Sequence, residues 1–233
     1  MSDQMSDQMS DPIRVLLVDD QELFREGVRV IVDAQEGMEV VGAAGDGLEA
    51  LQLVDELEPD VVLMDIRMPE MDGVEATRQI FQPERVARRV AQGSAPVRVI
   101  VLTTFNLDDK AATAIRHGAS GFLLKDTTPV MLRDAIRTVH GGNAVLAPTD
   151  LSALLDLQLR EVSPPPAAYL QLTDKEREVF DHVARGLSNT EIAALVFAGE
   201  STVKTHVGGI LRKLALRDRV QIVVFAHQHG LVP

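Results

Sequence analysis

Short apolar runs alternate with longer amphipathic stretches from Ile13 to His140. The runs have the length of β-strands and the stretches have the period of helices, an alternation that is typical of βαβ units in a parallel sheet. We predict strands at 13–18, 39–44, 61–64, 97–102 and 121–124, and helices at 21–34, 47–57, 73–80, 108–117 and 129–140. Five strands and five helices in this order predict an α/β fold, a doubly wound five-stranded parallel sheet of the flavodoxin-like type.

The C-terminal part of the chain has a purely helical pattern. Four helix candidates at 174–185, 189–196, 200–214 and 218–229 predict a small all-α domain. The preceding linker holds a short apolar helix candidate at 151–159 and three consecutive prolines, which stop a helix and form a stiff spacer. The first residues repeat the polar motif Met-Ser-Asp-Gln and predict a disordered tail. We therefore assign 1–12 to the tail, 13–141 to the α/β domain, 142–168 to the linker and 169–233 to the helical domain.

The formal net charge of the 233 residues is −12, but the two domains differ in charge. From Tyr169 onward there are eight basic and seven acidic residues, whereas the preceding part has 15 basic and 28 acidic residues. The acidic character of the whole chain therefore does not exclude nucleic-acid binding by the helical domain. The absence of cysteine excludes disulfides, thiol catalysis and the usual zinc sites. We find no membrane-spanning run and no apolar signal-peptide core, so we expect a cytoplasmic protein without a membrane partner.

Polar side chains follow four of the predicted strands directly. Asp19 and Asp20 follow the first strand, Asp65 the third, Thr103 the fourth and Lys125 the fifth. The carboxyl ends of parallel strands meet at one edge of the sheet, where open α/β folds place their chemistry. Clustered carboxylates repel one another unless a cation is near, and oxygen ligands with open positions suit Mg²⁺. A carboxylate can also accept a phosphoryl group as a nucleophile. The alternative is a set of ordinary polar residues at strand ends.

The helical domain contains two short helices joined by a turn that includes glycine. The first helix covers 191–194, the turn 197–200, and the second helix opens at 201–207. This arrangement describes a helix-turn-helix, whose second helix enters the major groove of DNA. Five basic and two acidic residues lie between Glu200 and Arg219, where phosphate contacts would be needed. On spacing alone, a helical hairpin with a solvated charged face is an equal alternative.

The strand-end residues belong to a longer pattern. Asp19-Asp20, Asp65, Met68-Pro69, Asp72-Gly73, Thr103 and the run Gly-Ala-Ser-Gly-Phe-Leu-Leu-Lys at 118–125 resemble the receiver domain of bacterial two-component response regulators. The resemblance implies that Asp65 accepts a phosphoryl group from a sensor histidine kinase. It also implies a Mg²⁺ site and a set of switch residues. The implied metal ligands are Asp19 (through water), Asp20, Asp65 and the backbone carbonyl of Arg67, and the implied switch and phosphate contacts are Thr103, Phe122 and Lys125.

The helical domain carries a second resemblance. Its segments Leu172-Thr173, Glu176-Arg177-Glu178-Val179, Thr202-Val203-Lys204-Thr205-His206-Val207 and Arg217-Asp218-Arg219 are similar to the LuxR-type helix-turn-helix. Together with the receiver, they identify the chain as a member of the NarL/FixJ family of response regulators. The resemblance implies a transcription regulator that binds double-stranded DNA and forms a homodimer when phosphorylated. The implied DNA contacts are Ser201, Thr202, Lys204, Thr205, His206 and Lys213.

The sequence departs from the family pattern at three places. Residues 81–95 are longer than the usual connection, which predicts either a helix extension or surface loop, or a basic contact surface for a partner or for the acidic receiver itself. Gly208 and Gly209 interrupt the recognition helix and remove a possible base contact. Ala215 stands where the family usually has Gly, so we expect the turn there to form without a residue of positive φ.

Two other functions are consistent with parts of the sequence. A Mg²⁺-dependent aspartyl-phosphatase would use Asp65 as its nucleophile, but Asp65-Ile66-Arg67 lacks the second carboxylate of the usual Asp-x-Asp motif. A protein-binding regulator that has lost DNA recognition would explain the two glycines and the weak positive charge of the helical domain.

Overall fold

The computed structural model describes residues 11–104, 109–143, 145 and 166–231. The strands are β1 (Ile13–Val18), β2 (Met38–Ala44), β3 (Val61–Asp65), β4 (Arg98–Thr103) and β5 (Gly121–Leu124). The helices of the α/β domain are α1 (Glu22–Asp33), α2 (Gly47–Leu57), α3 (Gly73–Ile80), α4 (Pro83–Ala91), α5 (Asp109–His117) and α6 (Pro129–His140). Those of the helical domain are α7 (Ala167–Leu170), α8 (Asp174–Ala184), α9 (Asn189–Leu195), α10 (Glu200–Lys213) and α11 (Arg219–Gln228).

The five strands form one parallel sheet in the order β2-β1-β3-β4-β5. This order confirms the predicted doubly wound fold. The chain leaves β1 toward one edge and returns to add β3 on the other side, so a switch point lies between β1 and β3. Ligands of such sheets bind at the carboxyl ends of the strands beside this point. The order therefore sets Asp19, directly after β1, beside Asp65 at the end of β3.

Alternate residues of the central strands point to two separate apolar layers. Leu16 and Val18 face the layer under α2, α3 and α5, whereas Val15 and Leu17 face the layer under α1 and α6. Because both faces are covered, the strands are continuous apolar runs, as parallel sheets require. Side-chain caps fix several helix starts: Asp46 accepts hydrogen bonds from the N–H groups of Leu48 and Glu49.

The helical domain begins two of its helices with capping boxes. Thr173 and Glu176 bond reciprocally at the start of α8, and Ser188 and Glu191 do the same for α9. Buried side chains of all four longer helices form its core, among them Phe180, Ile192, Ile210 and Ile222. The four helices predicted from the sequence are confirmed, with ends that differ by one residue or so.

The longer connection after α3 forms a separate helix, α4, rather than a helix extension or a loop. Pro83 occupies its first turn, where the missing N–H carries no cost. Arg85 and Arg88 both form ion pairs with Asp55 of α2. The interpretation that these basic residues contact the acidic receiver itself is therefore confirmed. The helix candidate at 151–159 and most of the predicted tail lie outside the described residues.

The turn after α10 corrects one expectation. Ala215 has a φ of +54°, so the left-handed residue is present although it is not glycine. The N–H of Leu216 bonds to the carbonyl of Leu211 (2.8 Å) and that of Ala215 to the carbonyl of Arg212 (3.4 Å). These two bonds make a Schellman ending, which holds Ala215 in a conformation that costs an L-residue about 1–2 kcal/mol.

The two domains are joined by a small seam. The buried hydroxyl of Ser120 donates to Oδ2 of Asp218 (2.7 Å), and the amide of Gln221 donates to the carbonyl of Ile115 (3.4 Å). Nearby, the guanidinium of Arg217 lies 3.5 Å from the centroid of the Phe81 ring. The seam thus joins the beginning of α11 to the end of α5 and to the residue directly before β5.

Candidate functional site

The predicted acidic residues meet in one pocket at the carboxyl edge of the sheet. Carboxylate oxygens of Asp19, Asp20 and Asp65 all lie within 4.8 Å of one another. Asp19 and Asp65 are buried, whereas Asp20 is exposed. The pocket therefore combines two charges removed from water with a third that remains accessible to it.

Lys125 neutralises the buried part of this pocket. Its Nζ lies 2.6 Å from Oδ2 of Asp19 and 2.9 Å from Oδ2 of Asp65. The side chain is only 7% exposed and its ammonium lies 4.9 Å from the centroid of the Phe24 ring. The N–H of Lys125 bonds to the carbonyl of Thr103 (2.7 Å), which fixes the loop after β5 against β4. Lys125 thus pairs with both buried carboxylates at once.

Burial and neighbouring charges act in opposite directions on the pKa values of Asp65 and Lys125. Burial raises the pKa of Asp65, and the charge of Asp19 adds to this, although Lys125 and the N–H of Arg67 oppose it. Burial acts to lower the pKa of Lys125, but its bonds to the two carboxylates outweigh burial, and its pKa is raised. Burial and the charge of Asp19 therefore outweigh the effect of Lys125 on the pKa of Asp65.

An open cleft leads into the pocket from solvent. It has a volume of about 670 Å³ and is lined by Asp20, Arg67, Met68, Pro69, Asp72 and Lys110. Asp72 caps α3 by accepting from the N–H of Glu75 (3.0 Å) and pairs with Lys110 (2.9 Å). Burial acts to raise the pKa of Asp72, but these two donors outweigh it and the pKa is lowered. Three carboxylates beside an open approach fit Mg²⁺, which takes oxygen ligands and retains water.

The implied switch residues lie on neighbouring strands. Thr103 is buried at the end of β4. Phe122 lies on β5, where it pairs with Val101 and is partly buried. Phe122 is two residues from Ser120, whose hydroxyl holds the helical domain. No local sequence pattern indicates this link between β5 and the seam, because the link depends on how the second domain docks.

The helix-turn-helix presents its polar side to solvent. Ser201, Thr202, Lys204 and Thr205 are exposed along the first turns of α10, and His206 is partly exposed. Val203, Val207 and Ile210 are buried on the opposite side of the helix. Lys213 lies at the far end of α10, where it pairs with Glu176 (2.6 Å) and the carbonyl of Gln171 (3.2 Å). Its DNA contact stays a prediction, and this internal pairing argues against it.

The two glycines of α10 have different surroundings. A Cβ at Gly208 would have no atom within 4 Å, so that position is open to larger residues. A Cβ at Gly209 would lie 2.8 Å from Oε1 of Glu176. Glu176 is itself held by Lys213 and by the N–H of Thr173 (2.7 Å), so it has little freedom to move. Gly209 is therefore needed for the packing of α10 on α8, whereas Gly208 is not.

The helix α11 packs in the core of the helical domain and also approaches α5 of the receiver, whereas the polar side of α10 is exposed. Every residue of α11 from Ile222 to His227 is buried, and this helix approaches α5 across the seam.

No helix within the described ranges is long and apolar enough to span a membrane.

Comparison with known proteins agrees with this architecture. The sequence model of the response regulator receiver domain matches residues 15–137, and that of the bacterial regulatory proteins of the luxR family matches residues 170–226. An uncharacterized transcriptional regulatory protein of Bacillus subtilis, YxjL, is 41% identical over 95% of this chain and 98% of its own length. The B. subtilis transcriptional regulatory protein LiaR is 40% identical over 94% of this chain and 99% of its own.

Among solved structures, a LuxR-family two-component response regulator from Aurantimonas is 31% identical, covers 64% of this chain and all of its own, and has a TM-score of 0.52. A receiver domain followed by a LuxR-type helix-turn-helix domain defines a response regulator of the transcription-regulating class. The chain belongs to the two-component response regulators with a LuxR-type DNA-binding domain.

The glycines of α10 give a matched pair of substitutions. We expect Gly208→Ala to raise the free energy of unfolding of the helical domain by about 1 kcal/mol, because alanine favours the helix and the site is open. Gly209→Ala should show no such gain or a loss, because its Cβ displaces Glu176 from Lys213. Thermal unfolding followed by circular dichroism compares the two, and an equal gain for both would contradict the assigned packing.

Proposed function

We propose that Asp65 accepts a phosphoryl group from a sensor histidine kinase and that this modification controls DNA binding by α10. The observation that supports the proposal most is the position of Asp65, buried at the end of β3 beside two other carboxylates and bonded to Lys125. A carboxylate oxygen of Asp65 would attack the phosphorus atom as the bond to the kinase histidine breaks. The open cleft beside Asp20 gives the donor access.

The other groups of the pocket would bind the metal ion and the phosphoryl group. Asp20, Asp65 and the carbonyl of Arg67 would hold Mg²⁺, with Asp19 supporting it through water. The bound ion supplies charge neutralisation for the incoming phosphoryl group. Lys125 would exchange its bond with the Asp65 carboxylate for one with a phosphate oxygen.

The effect of phosphorylation would reach the helical domain through residues of β4 and β5. Thr103 would donate its hydroxyl to a phosphate oxygen, and Phe122 would turn inward to fill the vacated space. Because Phe122 lies two residues from Ser120, this movement would act on the Ser120–Asp218 bond. Loss of that bond leaves Oδ2 of the buried Asp218 carboxylate without a donor, whereas Oδ1 keeps its bond from the N–H of Gln221 (3.1 Å), and this favours separation of the domains.

Separation of the domains would expose α11 for pairing with a second copy. Twofold dimers commonly read two half-sites on DNA, so dimerisation would align two copies of α10. The exposed polar side of α10 would then supply the contacts, from Ser201, Thr202, Lys204, Thr205 and His206. We place the protein in the cytoplasm, where the kinase's phosphoryl donor and the DNA are both found.

Phosphorylation of Asp65 can be measured directly. After incubation with acetyl phosphate and Mg²⁺, the intact mass of the wild-type protein should increase by one phosphoryl group, and chelation of Mg²⁺ should prevent the increase. Asp65→Asn should give no adduct. Asp134→Asn, which changes an exposed carboxylate of α6, is the matched control and should label like wild type. An adduct of equal yield on Asp65→Asn would place the modification elsewhere.

The seam can be tested by its buried hydrogen bond. We expect Ser120→Ala to form dimers without phosphorylation, because Oδ2 of Asp218 loses its donor and the closed arrangement is weakened. Ser94→Ala removes a similar bond to Glu58 inside the receiver and should remain monomeric like the resting wild type. Sedimentation with and without beryllofluoride measures both variants. Monomers throughout, with no response of the wild type to beryllofluoride, would contradict control through the seam.

The DNA-facing role of α10 can be tested at Lys204. On a duplex selected by the wild-type protein from a random pool, Lys204→Ala should weaken binding by about 1–3 kcal/mol if the lysine reads a base. If the lysine contacts only phosphate, the affinity should decrease for all duplexes alike. The slope of log K against log salt concentration should then decrease in magnitude by about one. Lys175→Ala on α8, where the lysine is paired with Glu178, is the control. Wild-type affinity and salt slope in Lys204→Ala would favour a regulator that does not read DNA with this helix.

A further inference from the structure

A partly enclosed cavity of about 160 Å³ lies between α2, α3, the inserted helix α4 and Arg217 of the helical domain. Its walls are mainly apolar side chains, among them Val54, Ile80, Phe81, Val86, Val90 and Val97. Its volume is similar to that of an enclosed apolar cavity of about 150 Å³, which accepts a molecule of the size of benzene. The space therefore fits one small ring.

The packing of α4 indicates that this side of the receiver is incomplete. No residue of α4 is buried, and Val90 is 68% exposed although it lines the cavity. The helix is held by its arginines instead: two of them pair with Asp55, and Arg89 donates to the carbonyls of Ala95 (2.7 Å) and Pro59 (2.8 Å). A ring in the cavity would cover apolar surface that α4 leaves open.

The cavity also carries an excess of positive charge. Four arginines and two carboxylates line it, and the carboxylates are already bonded, Asp55 to two arginines of α4 and Glu58 to the hydroxyl of Ser94. Nη1 of Arg217 is buried and has no hydrogen-bond acceptor within the part of the chain that the structure describes. Burial lowers the pKa of Arg217 to about 10. A buried cationic donor of this kind is stabilised by an anionic acceptor.

Arg217 is also fixed in position, which favours recognition. Its guanidinium stacks on the Phe81 ring, 3.5 Å from the centroid, and packs against Gly118 on another side. Gly118 has a φ of +120°, and a Cβ there would lie 2.6 Å from the Phe81 ring and 2.9 Å from Cζ of Arg217. Only glycine leaves room for the guanidinium, so Arg217, which lines the cavity and is partly exposed, is preorganised for a planar acceptor such as a carboxylate.

We propose that this cavity binds a small aromatic carboxylate, with its ring among the apolar side chains of α2, α3 and α4 and its carboxylate on Arg217. The receiver supplies the walls and the helical domain supplies the anchor, so the site is complete only while the domains are in contact. A bound carboxylate therefore stabilises the closed arrangement, and by reciprocity opening of the seam weakens its binding. Binding of the carboxylate does not depend on the proposed function, whereas the coupling of binding to domain opening rests on it.

The binding is tested with benzoate and, as its uncharged counterpart of similar shape, benzamide. In the full-length protein with ¹³C-labelled Ile and Val methyl groups, benzoate should give saturable shifts concentrated at Ile80, Val86 and Val97, with a dissociation constant of about 0.1–1 mM. Benzamide should bind about tenfold more weakly or worse, because it lacks the charge. Equal affinities, shifts centred elsewhere, or no saturable shift with benzoate at about 10 mM would overturn the proposal.

Three variants locate the site. Arg217→Met keeps a long apolar side chain without the charge and should reduce benzoate binding about tenfold, to the level of benzamide. Val86→Phe fills the cavity from α4 and leaves Arg217 unchanged, so it should abolish binding of both compounds. This variant tests the site independently of the stability of Arg217→Met. Arg133→Met on α6 should bind benzoate like wild type. Wild-type affinity in Val86→Phe would show that the ligand lies elsewhere.

The coupling has a separate readout. If the seam opens on phosphorylation, beryllofluoride should weaken benzoate binding, and benzoate should weaken dimerisation by the same factor. Benzoate binding that is unaffected by beryllofluoride in a protein that dimerises normally would overturn the coupling and leave the binding site in place. A protein that fails to respond to beryllofluoride at all would instead contradict the proposed function.

Discussion

The crowding of negative charge at one edge of the sheet is the constraint on which the receiver depends. Asp19 and Asp65 are buried side by side, and Lys125 is the cation that lies between them. Removing charges from water is costly unless they are paired, so the resting pocket is held in a balance that a metal ion or a phosphoryl group can change. Under the proposed function this balance would change on phosphorylation, because a phosphate oxygen would replace the Asp65 carboxylate as a partner of Lys125.

The seam between the domains is small enough to respond to such a change. Among the described residues, its polar contacts include one buried hydroxyl–carboxylate bond, one amide–carbonyl bond and one guanidinium stacked on a ring, and buried apolar side chains of both domains belong to one cluster. Interactions of this kind contribute about 1 kcal/mol each, so a shift in one of them can redistribute closed and open forms. The seam also explains why α11 is apolar over most of its surface. One side packs in the helical domain and another approaches the receiver.

The departures from the family pattern differ in their structural effect. Gly209 is required by the close approach of Glu176, and Gly208 occupies open space. Ala215 adopts a left-handed conformation that glycine would adopt without strain. The inserted segment forms α4, whose arginines bind the acidic surface of α2 and whose valines line a cavity. The inserted segment thus forms ion pairs with α2 and also encloses part of a cavity that no other part of the described fold fills.

The sequence by itself determined the strands, the order of the elements and the chemistry of the pocket. Apolar runs that end in Asp19, Asp65 and Lys125 specify buried strands with polar tips, and the parallel connection brings those tips to one edge. These features follow from local periodicity and from a topological rule that applies to every parallel sheet, so no knowledge of distant contacts was needed.

Only the tertiary structure decided how the domains meet and what the insertion does. The bond from Ser120 to Asp218 joins residues 98 positions apart, and no local pattern marks either as a partner of the other. The pattern left open whether 81–95 forms a helix extension, a loop or a basic contact surface, and the ion pairs of Arg85 and Arg88 with Asp55 of a distant helix decide the position of α4. The roles of Gly209 and Arg217 likewise depend on which atoms approach them from other helices. Such contacts depend on distances in space, which the order of residues along the chain does not fix.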